Sequence, residues 1–293
     1  MVPPFPSDDG LFGPNSVTWR VHANPSMLIG GMRALIIQSL HPLAMAGVAQ
    51  HSDYRTRGIY RLQRTIRYVL TVTYGDSASA VAAGALVRAV HRRIRGVDPV
   101  TGRTYTADDP DTLLWVHCVE VHSFAAAYRA YGGPLSNADR DRYFAESVES
   151  AALVGVPRDR VPTSAAEMRV YFERMRPSLC LSQAALDAIR FVVAPPIVGQ
   201  RLPVAASLRL ASIAAVGLIP HHLRALAGIE RPWVTDAVLR AGIGAALLPL
   251  ALALELPMAG RANIARLRRE AAAHPFASLE PHSMASASSP SQR

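Results

Sequence analysis

Residues 26–49 read Ser-Met-Leu-Ile-Gly-Gly-Met-Arg-Ala-Leu-Ile-Ile-Gln-Ser-Leu-His-Pro-Leu-Ala-Met-Ala-Gly-Val-Ala, with Arg33 as their only charged side chain. The run is far longer than a strand and shows no alternation of apolar and polar residues, so it reads as buried helix. Gly30, Gly31 and Gly47 are places where another helix can approach closely. His41-Pro42 must kink or break the segment, because proline lacks an amide hydrogen and clashes with the preceding turn.

The same reading extends outward. Ile59–Tyr74 carries Leu62, Ile66, Val69 and Thr73 at helical spacing and stops at Gly75. Ser77–Arg95 follows and stops at Gly96. Residues 97–110 form a turn-rich loop able to fold a short hairpin around Thr101-Gly102. Asp111–Tyr131 and Ser136–Val154 come next, the second opened by a capping Ser136 with Asp139 three residues on. Ser164–Met175, Ser182–Val193, Val204–Val216, His221–Ala227 and Val234–Glu255 complete the set. The spacing predicts an all-α protein with a single globular multi-helix domain. We divide the chain into an N-terminal extension at 1–18, a helical domain at 19–260 and a tail at 261–293. The tail is basic at first, then rich in Ser, Ala and Pro, and its end is expected to be disordered.

Composition narrows the chemistry. The chain has 293 residues, 50% of them hydrophobic, which is ample for one sizeable core. All 31 basic residues are arginines. Lysine Schiff bases and a phosphate loop ending in Gly-Lys-Ser/Thr are therefore excluded. The net charge of +9 invites an anionic partner. The arginines are dispersed, however, and no zinc-finger or RNA-binding signature accompanies them, so nucleic acid is not expected and an arginine-lined site for an anionic ligand fits as well. Cys118 and Cys180 make neither a disulfide framework nor a metal cluster. No secretory signal is visible at the N-terminus, and a cytoplasmic protein is expected. Gly242–Met258 is apolar on most sides but is interrupted by Pro249 and ended by Pro257. It is expected to be buried, to pair in a homo-oligomer or to lie on a membrane surface.

Several residues are candidates for a site. His117 and His122 sit five apart on one helix, which turns the imidazoles away from each other by roughly 140° and argues against a zinc-protease pair. Ala80, Gly84, Val87, His91 and Ile94 share a face of their helix. Gly84 leaves room, Val87 and Ile94 supply apolar walls, and His91 can reach an iron or sit in the core bonded to a carbonyl. Arg61, Arg64, Thr65 and Tyr68 share a face of the preceding helix, able to bind carboxylates or a polar ligand, or simply to face solvent. Arg92 is placed on the outer face. His117 lies with Leu114, Val121, Phe124 and Tyr128, in apolar surroundings. His41 and His51 flank a glycine-containing segment and could approach the same pocket.

Taken in order, Gly31-Met-Arg-Ala-Leu-Ile-Ile-Gln-Ser-Leu-His41-Pro42, Ala46-Gly-Val-Ala-Gln-His51-Ser, Arg61-x-x-Arg64-Thr65, Val90-His91-x-x-Ile-Arg-Gly96, Tyr105-x-Ala-x-Asp-Pro110 and Leu114-Trp-Val-His117 resemble the DUF2236 family. Asp141-Arg-Tyr-Phe-Ala-Glu146, Leu153-x-Gly-Val-Pro157 and Gly217-Leu-Ile-Pro220 continue the match, which runs from about Trp19 to Trp233. This family includes the latex-clearing rubber oxygenases and the mpaB-type oxygenases. The resemblance implies a loosely globin-like helical fold enclosing haem b, and a dioxygen-dependent oxygenase acting on an apolar terpenoid, lipid or other unsaturated molecule.

It also implies His91 as the iron ligand and Arg61, Arg64 and Thr65 as the catalytic, distal group. Arg61, Thr65, Gly84, Val87, His117 and His51 are implied as further cofactor contacts. Two departures stand out. Arg64 replaces the lysine of the rubber enzymes, and arginine, always protonated, is a very poor iron ligand. No Asp or Glu occurs between Pro25 and Ser52, where those enzymes carry a glutamate base. A haem- or lipid-binding protein without turnover is the alternative reading.

Overall fold

The computed structural model describes residues 8–194, 202–229 and 268–269, and the following concerns these. The fold is all-α. Its elements are α1 (Val17–His22), α2 (Ser26–Gln38), α3 (Pro42–His51), α4 (Tyr54–Tyr74) and α5 (Ser77–His91), then the strands β1 (Arg95–Val97) and β2 (Thr104–Thr106). After them come α6 (Pro110–Ala127), α7 (Asn137–Glu146), α8 (Val148–Val154), α9 (Ala165–Met175), α10 (Gln183–Val193), α11 (Leu202–Gly217) and α12 (His221–Leu226). The stretches Val234–Glu255 and Gly242–Met258 and the C-terminal tail lie outside the described residues.

The core is organised on the pair α2 and α6. Gly30 allows their approach: a Cβ there would meet Phe124 Cα and the Ser123 carbonyl oxygen at 3.0 Å. Ile29, Ile36, Leu114, Trp115, Cys118 and Val119 fill the seam. On the other side of α2 lies α11, whose Ser212 hydroxyl donates to the Leu208 and Val192 carbonyls. The break at His41-Pro42 is real: α2 and α3 meet at 104°, and His41 Nδ1 caps α3 by accepting from Ala44 N at 3.3 Å. No single described helix is long and apolar enough to cross a membrane, whereas this bent pair would pass on length and composition alone.

Two predicted helices end elsewhere. The helix from Ser77 stops at His91 rather than Arg95, because residues 95–97 pair antiparallel with 104–106. Asp98 ties the intervening turn, accepting from Thr101 N at 2.9 Å and the Thr101 hydroxyl at 2.6 Å. Local side-chain acceptors of this kind compete with the helical ladder. The stretch 136–154 is two helices meeting at Ser147, whose hydroxyl donates to the Phe144 carbonyl at 2.7 Å. At the predicted start of this stretch, Ser136 caps α7 by accepting from Asp139 N.

Candidate active site and neighbouring cavities

The helices α4 and α5 run antiparallel from the turn at Gly75-Asp76. Equal numbers of residues outward from that turn bring Arg61 level with Val90, the residue before His91, and Arg64 level with Val87. The two helices pack together, so the predicted histidine and arginines belong to one end of one helix pair. His91 closes α5 beside the hairpin. Its Nδ1 is buried and has no hydrogen-bond partner. Burial holds the ring below the ordinary histidine range, against the opposing pull of Asp108, and so favours the neutral imidazole.

Arg61 is partly buried. Its guanidinium donates to the Ser52 hydroxyl, and Asp53 and Arg64 are its charged neighbours. His51 donates from Nε2 to the Arg95 carbonyl at 3.2 Å and meets the Tyr105 ring edge-on, so it borders the same hairpin. Thr65 departs from the expectation of an inward face: it is exposed, and its hydroxyl donates to the Arg61 carbonyl of its own helix. Arg92 is exposed as expected. The space at Gly84 is filled by the chain itself. A Cβ there would lie 2.9 Å from the Leu153 carbonyl oxygen, so this glycine lets α8 approach, and Arg88 donates to that same carbonyl. Val87 is half-buried on the same helix.

His117 lies beside Val121 as expected, in surroundings that mix apolar walls (Phe12, Val69, Val72) with polar groups. It lines a cavity of about 40 Å³ shared with His22, Tyr68, Glu120, Tyr143 and Ser147. A volume of that size admits two or three waters, at roughly 10–15 Å³ each. The hydrogen bonds fix the ring forms. Thr73 donates to the Val69 carbonyl and therefore accepts from His22 Nδ1 at 2.8 Å, which leaves His22 Nε2 to accept from the Tyr143 hydroxyl at 2.9 Å. Ser147 likewise spends its proton on Phe144 and accepts from His117 Nε2 at 3.3 Å. Burial pushes His22 down to about 3 and His117 down to about 4, and it raises the Glu120 carboxyl to about 7. The members of this cavity are close to neutral. Tyr68 connects it to the predicted α4 face, since it follows Arg61 and Arg64 on that face and borders Glu120.

The opposite side of α6 borders a larger cleft of about 320 Å³. Its apolar wall includes Trp115, Val119, Phe144, Met168 and Phe172. Arg33, only 2% exposed, stands behind it and donates to the Leu218 carbonyl at 3.0 Å, the Ser123 hydroxyl at 2.6 Å and His122 Nδ1 at 3.4 Å. Arg140 borders the same space with its Nε buried and without a partner. Sequence reading passed over both arginines and Glu120. For Arg33 and Glu120 the available signal was isolation, one a lone charge in an apolar helical run and the other two residues from His122; Arg140, within Asp139-Arg-Asp-Arg142, carried none.

Among the described residues no three His, Cys, Asp or Glu side chains converge as a metal cluster. A haem iron asks for less, because the porphyrin brings four nitrogens and the protein one axial imidazole. The unspent ring nitrogen of His91 fits that demand. Arg61 and Arg64 fit the carboxylates such a macrocycle carries rather than the iron itself.

Over residues 19–248 the chain matches the family described as ER-bound oxygenase mpaB/B'/rubber oxygenase, catalytic domain. The chain belongs to this family. No curated protein and no solved structure matches it. The mpaB/rubber oxygenase match begins within α1, covers every element from α2 to α12 and includes both ends of the α4–α5 pair. It identifies an oxygenase-type catalytic domain, for which dioxygen and an oxidisable substrate are the general reactants.

Proposed function

We propose that the protein is a haem-b-dependent oxygenase that uses dioxygen on an apolar unsaturated small molecule, a terpenoid or lipid. The observation carrying this reading is His91: a largely buried neutral imidazole with an orphaned ring nitrogen, at the same end of the α4–α5 pair as the partly buried Arg61. A buried polar atom without a partner costs roughly 1–3 kcal/mol, and a bound ligand would supply the partner that His91 lacks. A haem held there supplies a redox iron able to activate dioxygen.

The chain's own residues divide the remaining work. His91 holds the cofactor on one side. Arg61 and Arg64 donate charge-assisted hydrogen bonds to anionic oxygens at that end, with His51 and Val87 bordering it and Thr65 at its exposed edge. Glu120 serves as the proton reservoir. Its carboxyl titrates near neutrality and shares a cavity with Tyr68, on the arginine-bearing face of α4. It takes the place of the acid that residues 25–52 lack. His117 positions that cavity through Ser147 rather than touching the cofactor.

We place the protein in the cytoplasm, with peripheral contact to a membrane surface as the route to an apolar substrate and a homo-oligomer as its assembly. The test is a visible spectrum of protein expressed with haem supply, followed by oxygen uptake with unsaturated terpenoids and lipids. A Soret band and substrate-dependent uptake are expected. A colourless protein overturns the haem assignment, and a Soret band without uptake for any substrate leaves a binding protein without turnover.

A further inference from the structure

The arginine-lined cleft lies on the far side of α6 from His117 and is not part of the α4–α5 end. We propose that it is a binding site for an amphipathic anion: a carboxylate or phosphate head on Arg140 and Arg169, with Arg33 beneath them, and an apolar chain along Trp115, Met168 and Phe172. This goes beyond the oxygenase reading and does not rest on it.

Three observations carry it. First, Arg33 is almost wholly buried, and its partners are a carbonyl, a hydroxyl and an imidazole, all neutral. Among the described residues no carboxylate lies within ion-pair distance of it, although burying a charge without a counter-charge is costly. Second, Arg140 contributes a buried, partnerless Nε to the same space. Arg169 lies exposed at its border, and Arg176, also exposed there, is already paired with Glu173 at 3.7 Å. Third, His122 feels this field: after burial, Arg33, Arg140 and Arg129 are what hold its ring down to about 3. A positive field with an apolar wall, in a space of about 320 Å³, is complementary to a small amphiphile rather than to a bare ion or a neutral lipid. Pockets for small molecules begin at about that size and combine apolar walls with a few convergent polar groups.

Calorimetric titration of the full chain with decanoate, decyl phosphate, decanol and inorganic phosphate tests this. Decanoate or decyl phosphate should bind at least tenfold more tightly than decanol or inorganic phosphate, and the better of the two identifies the head group. Arg140→Gln and Arg169→Gln should each weaken that binding at least fivefold, whereas Arg92→Gln, on the exposed end of α5, should not. Arg169 is exposed, so its variant reports on binding even if Arg140→Gln disturbs folding. His91→Ala should leave decanoate binding intact, which separates this site from the haem reading. Equal binding of decanoate and decanol, affinity for inorganic phosphate matching that of the amphiphiles, or indifference to Arg169→Gln would overturn the proposal.

Discussion

His117 and His122 stand on the same helix and serve two different interiors. Around His117 the polar groups answer one another in neutral form: His22 between Thr73 and Tyr143, His117 on Ser147, and Glu120 with its carboxyl raised to about 7. Around His122 the groups are charged and lack a counter-charge, with Arg33 bonded only to neutral acceptors and Arg140 holding an unpartnered nitrogen. The contrast separates polar groups that complete the fold from polar groups that await a ligand. Where the chain supplies the partner, the residue is architecture. Arg33 is buried without a counter-charge and His91 with an unpartnered ring nitrogen, and these are the places where a partner from outside the chain is proposed.

The buried histidines of the two interiors predict the largest effect. His22, His117 and His122 all have folded values depressed below the unfolded one, so their stability contribution is present above about pH 6.5 and is lost as pH falls towards 3–4. Each contributes about 1.4 kcal/mol per pH unit in that window. Glu120 works in the opposite sense: its folded value is raised, so its contribution is present below the unfolded value near 4.5 and is lost as pH rises through about 7. Three groups outweigh one. Urea denaturation should show stability falling by several kcal/mol from pH 6.5 to pH 5, and a flat profile would break the account of a neutral interior.

Glu120→Gln sharpens the same side. It removes the cost of ionising a buried carboxyl, so the variant should gain about 3 kcal/mol over wild type at pH 8 and no more than about 1 kcal/mol at pH 5. An equal gain at both values would mean that Glu120 is already ionised or solvated. If Glu120 is the proton reservoir, the pH profile of oxygen uptake should lose its inflection near 7 in this variant.

The next contrast is between Arg61 and Arg92. Charge-assisted hydrogen bonds contribute roughly 1.5–3 kcal/mol, so Arg61→Ala should weaken haem or dioxygen binding by about ten- to a hundredfold. Arg92→Ala, on the exposed face, should change it by less than twofold. Equal, negligible effects would return the α4 face to solvent.

Arg33→Met gives the smallest change in stability. The substitution removes a buried charge but also the donor to the Leu218 carbonyl, the Ser123 hydroxyl and His122, so the two effects should offset to within about 1 kcal/mol in the ligand-free protein. A loss of 3 kcal/mol or more in thermal or urea unfolding would make Arg33 a structural residue instead.

Much of the fold was legible in sequence because the signals were local. The apolar run 26–49, the break at His41-Pro42 and the cap at Ser136 each depend on residues a few positions apart, and the structure reproduces them. The opposed directions of His117 and His122 followed from helical spacing alone, and the two rings do line different cavities. What failed was what depended on distant partners. Gly84 reads as space for a ligand until Leu153 fills it from another helix. Thr65 is a local exception: it shares a helical face with Arg61, and its hydroxyl turns back onto the Arg61 carbonyl one turn away. Arg33 looked like an incidental charge in an apolar run, because its importance comes from Ser123 and Leu218, far along the chain. Glu120 has no sequence neighbour that reveals a cavity shared with Tyr68 and His22.

The visible spectrum of His91→Ala beside His122→Ala, both expressed with haem supply, tests the central claim most directly. The account predicts that His91→Ala loses the Soret band while keeping its helical content, and that His122→Ala retains haem at the wild-type level. Wild-type haem in His91→Ala would contradict it and move the ligand to another histidine, with loss of the band in His122→Ala locating it in the arginine-lined cleft.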